Sequence, residues 1–130
     1  RLPTDGIVTA EQQAADAYCQ RYIAGRRAYD AAAEQEVECT DLDGLRDSIQ
    51  RFRMHQGLLH RVEFGCEGHA DALGQLVVVV PADHEYRVMR HVHEGHCHQR
   101  GKTLINAVRA RYWFPCMVAK LKEFTRKCDT

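Results

Sequence analysis

The residues of this chain best suited to chemistry are a dense run of imidazole and thiol side chains, His91-Val92-His93-Glu94-Gly95-His96-Cys97-His98. About thirty residues later comes Cys128, after the aromatic segment Tyr112-Trp113-Phe114-Pro115. Imidazole and thiolate suit Zn²⁺, and a structural zinc ion binds four such ligands in a closed tetrahedron. The residue types and their spacing therefore predict a structural zinc site formed from two distant parts of the chain.

Helices are expected to position these ligands. Pro81 favours the first turn of a helix, and His93, twelve residues later, is expected where that helix ends. His98 follows across a tight turn. Apolar residues at helical spacing predict two further helices, one on Leu104, Val108 and Tyr112, the other on Met117, Val118, Leu121 and Phe124. The last helix must fold back to bring Cys128 beside the histidines, so the predicted ligands are His93, His98 and Cys128.

Two other interpretations of the histidine run remain open. His91 and His96 have the same spacing as His93 and His98, so they are an alternative pair of ligands. The fourth ligand is also undecided, since water, His96 or Cys97 are each able to fill that place, and an empty site is the remaining alternative. The other alternative to the predicted site is that all of these histidines are solvated and bind no metal.

The sequence before Pro81 predicts a helix and a small sheet. Thr9 and Gln12 fit a capping box for a helix over residues 10–24, with Gly25 as its end and residues 26–37 as a second helix. Residues 52–54 and 58–64 alternate around a glycine turn as a β-hairpin, and residues 76–80 form a third strand. We predict an α+β fold with an N-terminal extension at 1–81, a helix plus an antiparallel three-stranded sheet, and a three-helix zinc-binding bundle at 82–130.

Composition narrows the functional classes. No stretch of about eighteen apolar residues is present, so no membrane partner is expected. The six cysteines are widely scattered, which favours a reduced intracellular protein with buried thiols over a disulfide scaffold. Cys19, on an apolar helical face, is predicted to be a packing residue. His60 and His69 are interpreted as ordinary strand and loop residues, with extra metal ligation as the minor alternative.

Charge is distributed unevenly, although the formal net charge is zero. Residues 1–81 carry eight Lys and Arg against thirteen Asp and Glu, whereas residues 82–130 carry ten against five. The second half is therefore the side expected to face phosphates. Four of its cations lie on or near one predicted helix, beside the metal turn: Arg100, Lys102, Arg109 and Arg111. They predict contacts to double-stranded DNA, with a merely solvated helical surface as the alternative.

Catalysis is not expected of this chain. His93-Glu94-Gly95-His96 lacks the His-Glu-x-x-His spacing that puts two imidazoles and a basic glutamate on one helical face. Cys97 has histidine neighbours, but adjacent side chains point apart and no third group orients them. No set of three carboxylates arranged to hold two metal ions is evident in the sequence.

The order of motifs carries a family resemblance. Reading along the chain, they are Val80-Pro81, His93-Glu94-Gly95, His98, Lys102-Thr103-Leu104, Tyr112-Trp113-Phe114-Pro115-Cys116-Met117 and Cys128. This order resembles the N-terminal zinc domain of integrases from gypsy-type retrotransposons and related gammaretroviruses. Upstream, Gly57-Leu58-Leu59-His60-Arg61 is similar to the Gly-Leu-Leu-Tyr-Arg strand of the extension preceding that domain. The resemblance covers essentially the whole chain.

The resemblance implies both ligands and departures from the family pattern. It favours His93 and His98, and it implies a second cysteine of a Cys-x2-Cys pair directly after Thr130 as the fourth ligand. Gly101 comes three residues after His98 instead of two, so a rearranged turn is expected, and Cys116 stands where a glycine is common.

The implied function is the non-catalytic zinc-binding region of a retroelement integrase or of a host gene derived from one. Such a region binds element DNA ends and supports association with itself or with other integrase domains, and it acts in the nucleus. The alternative is a domesticated zinc module that serves protein–protein association without binding DNA.

Overall fold

The computed structural model describes residues 6–39, 44–45, 47–63, 75–95 and 101–127, the last range with side chains from residue 103 onward. Within these ranges the architecture is α+β, with five α-helices and one four-stranded sheet. The elements are α1 (Ala10–Ala14), α2 (Ala17–Glu34), β1 (Phe52–His55), β2 (Leu58–Glu63), β3 (Gln75–Val79), α3 (Glu85–Gly95), α4 (Gly101–Arg109), β4 (Tyr112–Trp113) and α5 (Met117–Lys127). In the described part of the chain, no helix has the length and apolar character needed to cross a bilayer.

The N-terminal helix begins as the sequence predicts but is interrupted earlier. Thr9 Oγ1 accepts a hydrogen bond from the Gln12 N–H, and Gln12 Oε1 accepts one from the Thr9 N–H, so the capping box is confirmed. The predicted single helix over residues 10–24 is wrong. α1 ends at Ala14, and Asp16 caps α2, since its carboxylate accepts a hydrogen bond from the Cys19 N–H at 2.9 Å.

Gly25 does not end a helix, contrary to the prediction. It lies inside α2, where a Cβ would approach the side chains of Leu45 and Ile49 to 3.2 Å. Its small size therefore permits close packing. The end of α2 instead has Glu36 at a φ of 56°, and the Val37 N–H donates to the Ala32 carbonyl as in a Schellman motif.

The sheet contains the predicted hairpin and third strand. β1 and β2 are antiparallel around Gln56-Gly57, both at positive φ, as a two-residue hairpin turn requires. β3 is antiparallel to β2, with Val78 opposite His60.

A fourth strand corrects the predicted three-stranded sheet. β4 lies parallel to β3, and the N–H groups of Val78 and Val80 donate to the carbonyls of Arg111 (2.8 Å) and Trp113 (2.9 Å). Tyr112 was expected to continue the second helix of the bundle, but α4 ends at Arg109. Two residues are too short for a period-2 pattern to be recognised, and the extended backbone favoured before Pro115 opposes a helix.

The two faces of the sheet bury separate cores. One face, with Phe52, Leu59 and Val79, packs against α2. Burial in this core raises the pKa of the Cys19 thiol to about 12, which agrees with the prediction that Cys19 is a packing residue. The other face packs against α3, α4 and α5. The buried residues of this second core are Val8, Val78, Val80, Val88, Met89, Val92, Leu104, Val108, Tyr112, Phe114, Met117, Leu121 and Phe124. Val118, one of the apolar residues whose spacing predicted the last helix, is 40% exposed.

Contacts cross the predicted boundary at residue 81. The Trp113 ring lies 6.1 Å from the rings of Tyr18 and Phe52, and Asp16 Oδ1 accepts a hydrogen bond from the Ala82 N–H at 3.1 Å. Burial alone would raise the pKa of the Asp16 carboxyl, but these backbone hydrogen bonds hold it below its ordinary value. The division into units at 1–81 and 82–130 stays a prediction, and its two sides share one sheet.

Gln13 joins the first helix to the sheet through a fully buried amide. Its Nε2 donates to the carbonyls of Leu59 (3.1 Å) and Val79 (2.8 Å), and its Oε1 accepts from the Leu59 N–H at 2.7 Å. Leu59 and Val79 lie on neighbouring strands, so this one side chain holds the end of the β2–β3 ladder against α1.

Cys116 occupies a strained backbone conformation just before α5. Its φ is 57°, a left-handed conformation that costs an L side chain about 1–2 kcal/mol. The Cys116 side chain is exposed, so removing it sacrifices little packing. We expect Cys116→Gly to raise the free energy of unfolding by about 0.5–1 kcal/mol, measured by urea denaturation. Cys116→Ala keeps the Cβ and is the control; an equal gain in both variants would contradict the strain.

Candidate metal centre

His93 lies in the last turn of α3, close to where the sequence predicts that this helix ends. Its side chain is among the most buried of the chain, with 2% of its surface exposed. The imidazole meets the Phe124 ring of α5 edge to face, with 5.4 Å between the ring centroids. The geometry directs His93 toward the C-terminal half of α5.

A groove of about 540 Å³ runs between α3 and α5, and His93 lines it. The Lys120 Nζ to Glu85 Oε1 ion pair, 2.7 Å long, ties the start of α3 to the middle of α5. The Tyr86 ring packs on Phe124 with 5.7 Å between centroids. These contacts fix the spacing of the two helices, and so they fix how closely His93 approaches the end of α5.

Lys127 also lines this groove, and it is both the last residue of α5 and the residue before Cys128 in the sequence. Cys128 and His98 lie outside the described residues. Of the three predicted ligands, the structure therefore places His93 alone, and in the described ranges no three His, Cys, Asp or Glu side chains form a cluster able to hold a metal ion. The described geometry does bring His93 beside the helix whose next residue is the predicted thiolate.

The alternative pair of ligands contains one described residue. His91 lies on α3 two residues before His93, and its side chain is exposed where that of His93 is buried. His96 lies outside the described residues. Of these two positions on α3, only that of His93 is enclosed by the packing of α3 against α5.

Phe124 and the Lys120–Glu85 pair are the positioning residues that the sequence did not reveal. Phe124 was identified only as an apolar residue of the last predicted helix, although it precedes Cys128 by four positions, which is the spacing of residues on one helical face. Glu85 and Lys120 are thirty-five residues apart, and no spacing rule links side chains at that distance.

The predicted DNA-contacting cations are only partly placed. Arg100 lies outside the described residues, and Lys102 lies in α4 with its side chain undescribed. Arg109 is the last residue of α4 and is half-buried, whereas Arg111, two residues later, is exposed. Arg109 and Arg111 therefore lie at the C-terminal end of α4, just before β4.

Several other cations of this half are already paired. Arg90 contacts Glu94 at 2.9 Å on α3, and Arg126 pairs with Glu123 on α5. Both pairs are exposed, where solvent and salt screening leave an ion pair little effect on stability. They neutralise part of the positive charge on the surface formed by α3 and α5.

Comparison with known proteins gives one match. Residues 80–130 match the family model described as Integrase zinc binding domain. Searches of curated proteins and of solved structures each returned no match. The matched segment begins at the end of β3 and contains α3, α4, β4 and α5, together with the three predicted metal ligands.

Proposed function

We propose that the chain is the N-terminal region of a retroelement integrase of the gypsy or gammaretroviral type, because residues 80–130 match an integrase zinc-binding domain, which implies binding of Zn²⁺. The zinc-binding domain itself is non-catalytic. The observation that carries the proposal is the buried His93, enclosed between α3 and α5 beside the end of the last helix.

The proposed ligands are His93, His98 and Cys128, with the fourth place taken by a cysteine that follows Thr130. His93 supports this set because its imidazole is enclosed on α3 and faces the helix that leads into Cys128. The donor types, imidazole and thiolate, are those of structural zinc. When bound, the ion supplies a cross-link between distant helices, and the chain supplies the packing that aims His93 at it.

The proposed partner is double-stranded DNA at the element ends. Residues 82–130 carry ten Lys and Arg against five Asp and Glu, and some α3 and α5 cations are paired with carboxylates. The proposed surface is the α4 region, where Arg100, Lys102, Arg109 and Arg111 lie close together in the sequence. Contacts from such side chains to phosphates position a protein without reading the base sequence. Because integration joins element DNA to host DNA, the proposed site of action is the nucleus.

Charge reversal tests the DNA-binding surface. We expect the double variant Lys102→Glu/Arg109→Glu to bind duplex DNA more weakly. A cation that binds a phosphate releases a counterion from the DNA, and the variant loses that release at each phosphate it no longer contacts. The slope of log affinity against log salt should become shallower by about 0.9 for each phosphate that the variant leaves unneutralised. Fluorescence anisotropy with a labelled duplex, over about 50 to 200 mM salt, measures this, and circular dichroism checks the fold.

The matched control reverses two exposed cations on α2, Arg21→Glu/Arg27→Glu, which lie outside the zinc-binding segment. Binding by the control should exceed binding by the α4 variant at every salt concentration. If both variants fold and bind DNA as the parent chain does, the α4 surface has no DNA role. The function then becomes that of a domesticated module for protein–protein association, which cross-linking and light scattering would detect as self-association.

A further inference from the structure

His60 is a buried imidazole that the zinc-binding function does not use. It lies in the middle of β2 with 1% of its surface exposed. Its Nδ1 lies 2.9 Å from the Leu58 carbonyl oxygen, to which it donates, so Nε2 carries the lone pair. Nε2 is buried and has no hydrogen-bond partner in the described structure. A buried polar atom without a hydrogen-bond partner costs the folded state about 1–3 kcal/mol of stability.

The surroundings of His60 do not favour a positive charge. On β1, Arg53 lies directly opposite, with its guanidinium turned to the carbonyls of Gln50 and Phe52, and the His55 ring meets the His60 ring edge to face at 5.5 Å. On β3 the opposite residue is the apolar Val78, and beyond it on β4 is Tyr112. Along the described strands, this face of the sheet carries no carboxylate.

We propose that His60 is a pH-sensitive switch of the sheet, in which uptake of a proton by Nε2 requires β2 to leave its buried position. A proton taken from solvent would give His60 a second N–H donor and a positive charge, and the described residues of the folded chain offer that donor no acceptor. The opened chain solvates both. Acidification therefore favours opening of the sheet that β1–β3 share with β4.

The direction of the pH effect follows from the two states. Burial lowers the pKa of His60 below its ordinary value of 6.5 in the folded chain, and His55 adds to that lowering against the Leu58 hydrogen bond. The unfolded chain therefore binds the proton first. Stability from this residue is fully present above about pH 6.5 and is lost as the pH falls below it, by up to about tenfold in the folded-to-unfolded ratio per pH unit.

Trp113 gives a direct readout, because it is the one tryptophan in the chain and lies on β4 of the same sheet. The full chain with saturating Zn²⁺ would be unfolded in urea at pH 7.5, 6.5 and 5.5, and Trp113 fluorescence would follow the unfolding. Between pH 6.5 and 5.5, the folded-to-unfolded ratio of the parent chain should fall by up to about tenfold more than that of His60→Leu. His55→Gln removes the neighbouring ring and keeps the buried one, so it should retain most of the pH dependence.

An equal loss in the parent chain and in His60→Leu would overturn the proposal. If His60→Leu does not fold, ring ¹⁵N spectra of the parent chain decide the matter. The proposal requires His60 to keep its neutral Nδ1–H form in the folded chain down to the pH of unfolding. A folded chain with a charged His60 ring above about pH 6 would also overturn it.

Discussion

His93→Ala is expected to remove the Zn²⁺-dependent stabilisation of this chain. Structural zinc in small domains contributes about 10–16 kcal/mol of apparent binding free energy, and that energy is coupled to folding. His93 is 2% exposed between α3 and α5, so no other side chain can take over its position without repacking Phe124. We expect zinc affinity to fall by more than about 100-fold, since changes outside the ligand shell already cost about 10- to 100-fold.

Thermal denaturation with added Zn²⁺ and with a chelator measures this effect, and Co²⁺ absorption reports the ligand set directly. His91→Ala is the matched control, since His91 is exposed on the same helix and should leave the zinc-dependent shift intact. The opposite result, with His91→Ala losing zinc and His93→Ala keeping it, would assign the site to His91 and His96. A chain extended through the cysteine proposed to follow Thr130 whose melting temperature is unchanged by zinc would contradict the proposed site altogether.

Gln13→Ala is expected to destabilise the fold by about 3–5 kcal/mol. The change leaves the Leu59 N–H and the Val79 carbonyl without their buried partner, and each such group costs about 1–3 kcal/mol. A cavity between α1 and the sheet adds to the loss. Urea denaturation measures the change in the free energy of unfolding.

Gln20→Ala is the control for this prediction. Gln20 is an exposed residue of α2 whose side chain donates to the nearby Ala14 carbonyl. Its replacement should change the free energy of unfolding by less than about 0.5 kcal/mol, as is usual for surface sites. Similar effects of the two substitutions would mean that the amide of Gln13 is not what holds β2 and β3 to the first helix.

Local signals in the sequence predicted the elements that local rules control. The Thr9–Gln12 capping box, the Gln56-Gly57 turn and the helix that starts after Pro81 each depend on residues within a few positions of one another. His93 was correctly expected near the end of that helix. The integrase resemblance came from the order of such short motifs, and the family match over residues 80–130 supports it.

Features that depend on distant residues were missed. No residue near Gly25 in the sequence indicates that the side chains of Leu45 and Ile49 pack against it, so a glycine that permits close packing was interpreted as a helix end. β4 exists because Val78 and Val80 present free N–H groups to a segment more than thirty residues away. The burial of His60 likewise requires the register that places it opposite Val78, which composition does not encode.

The parallel pairing of β3 with β4 has a consequence during synthesis on the ribosome. The first three strands are translated before α3 and α4, and Trp113 is added more than thirty residues after Val79. Until then the outer edge of a valine-rich strand has no neighbour, and an open edge of that kind templates association between chains. A nascent chain that pauses within this interval is therefore the form most prone to aggregate, and arrival of the last strand ends that risk.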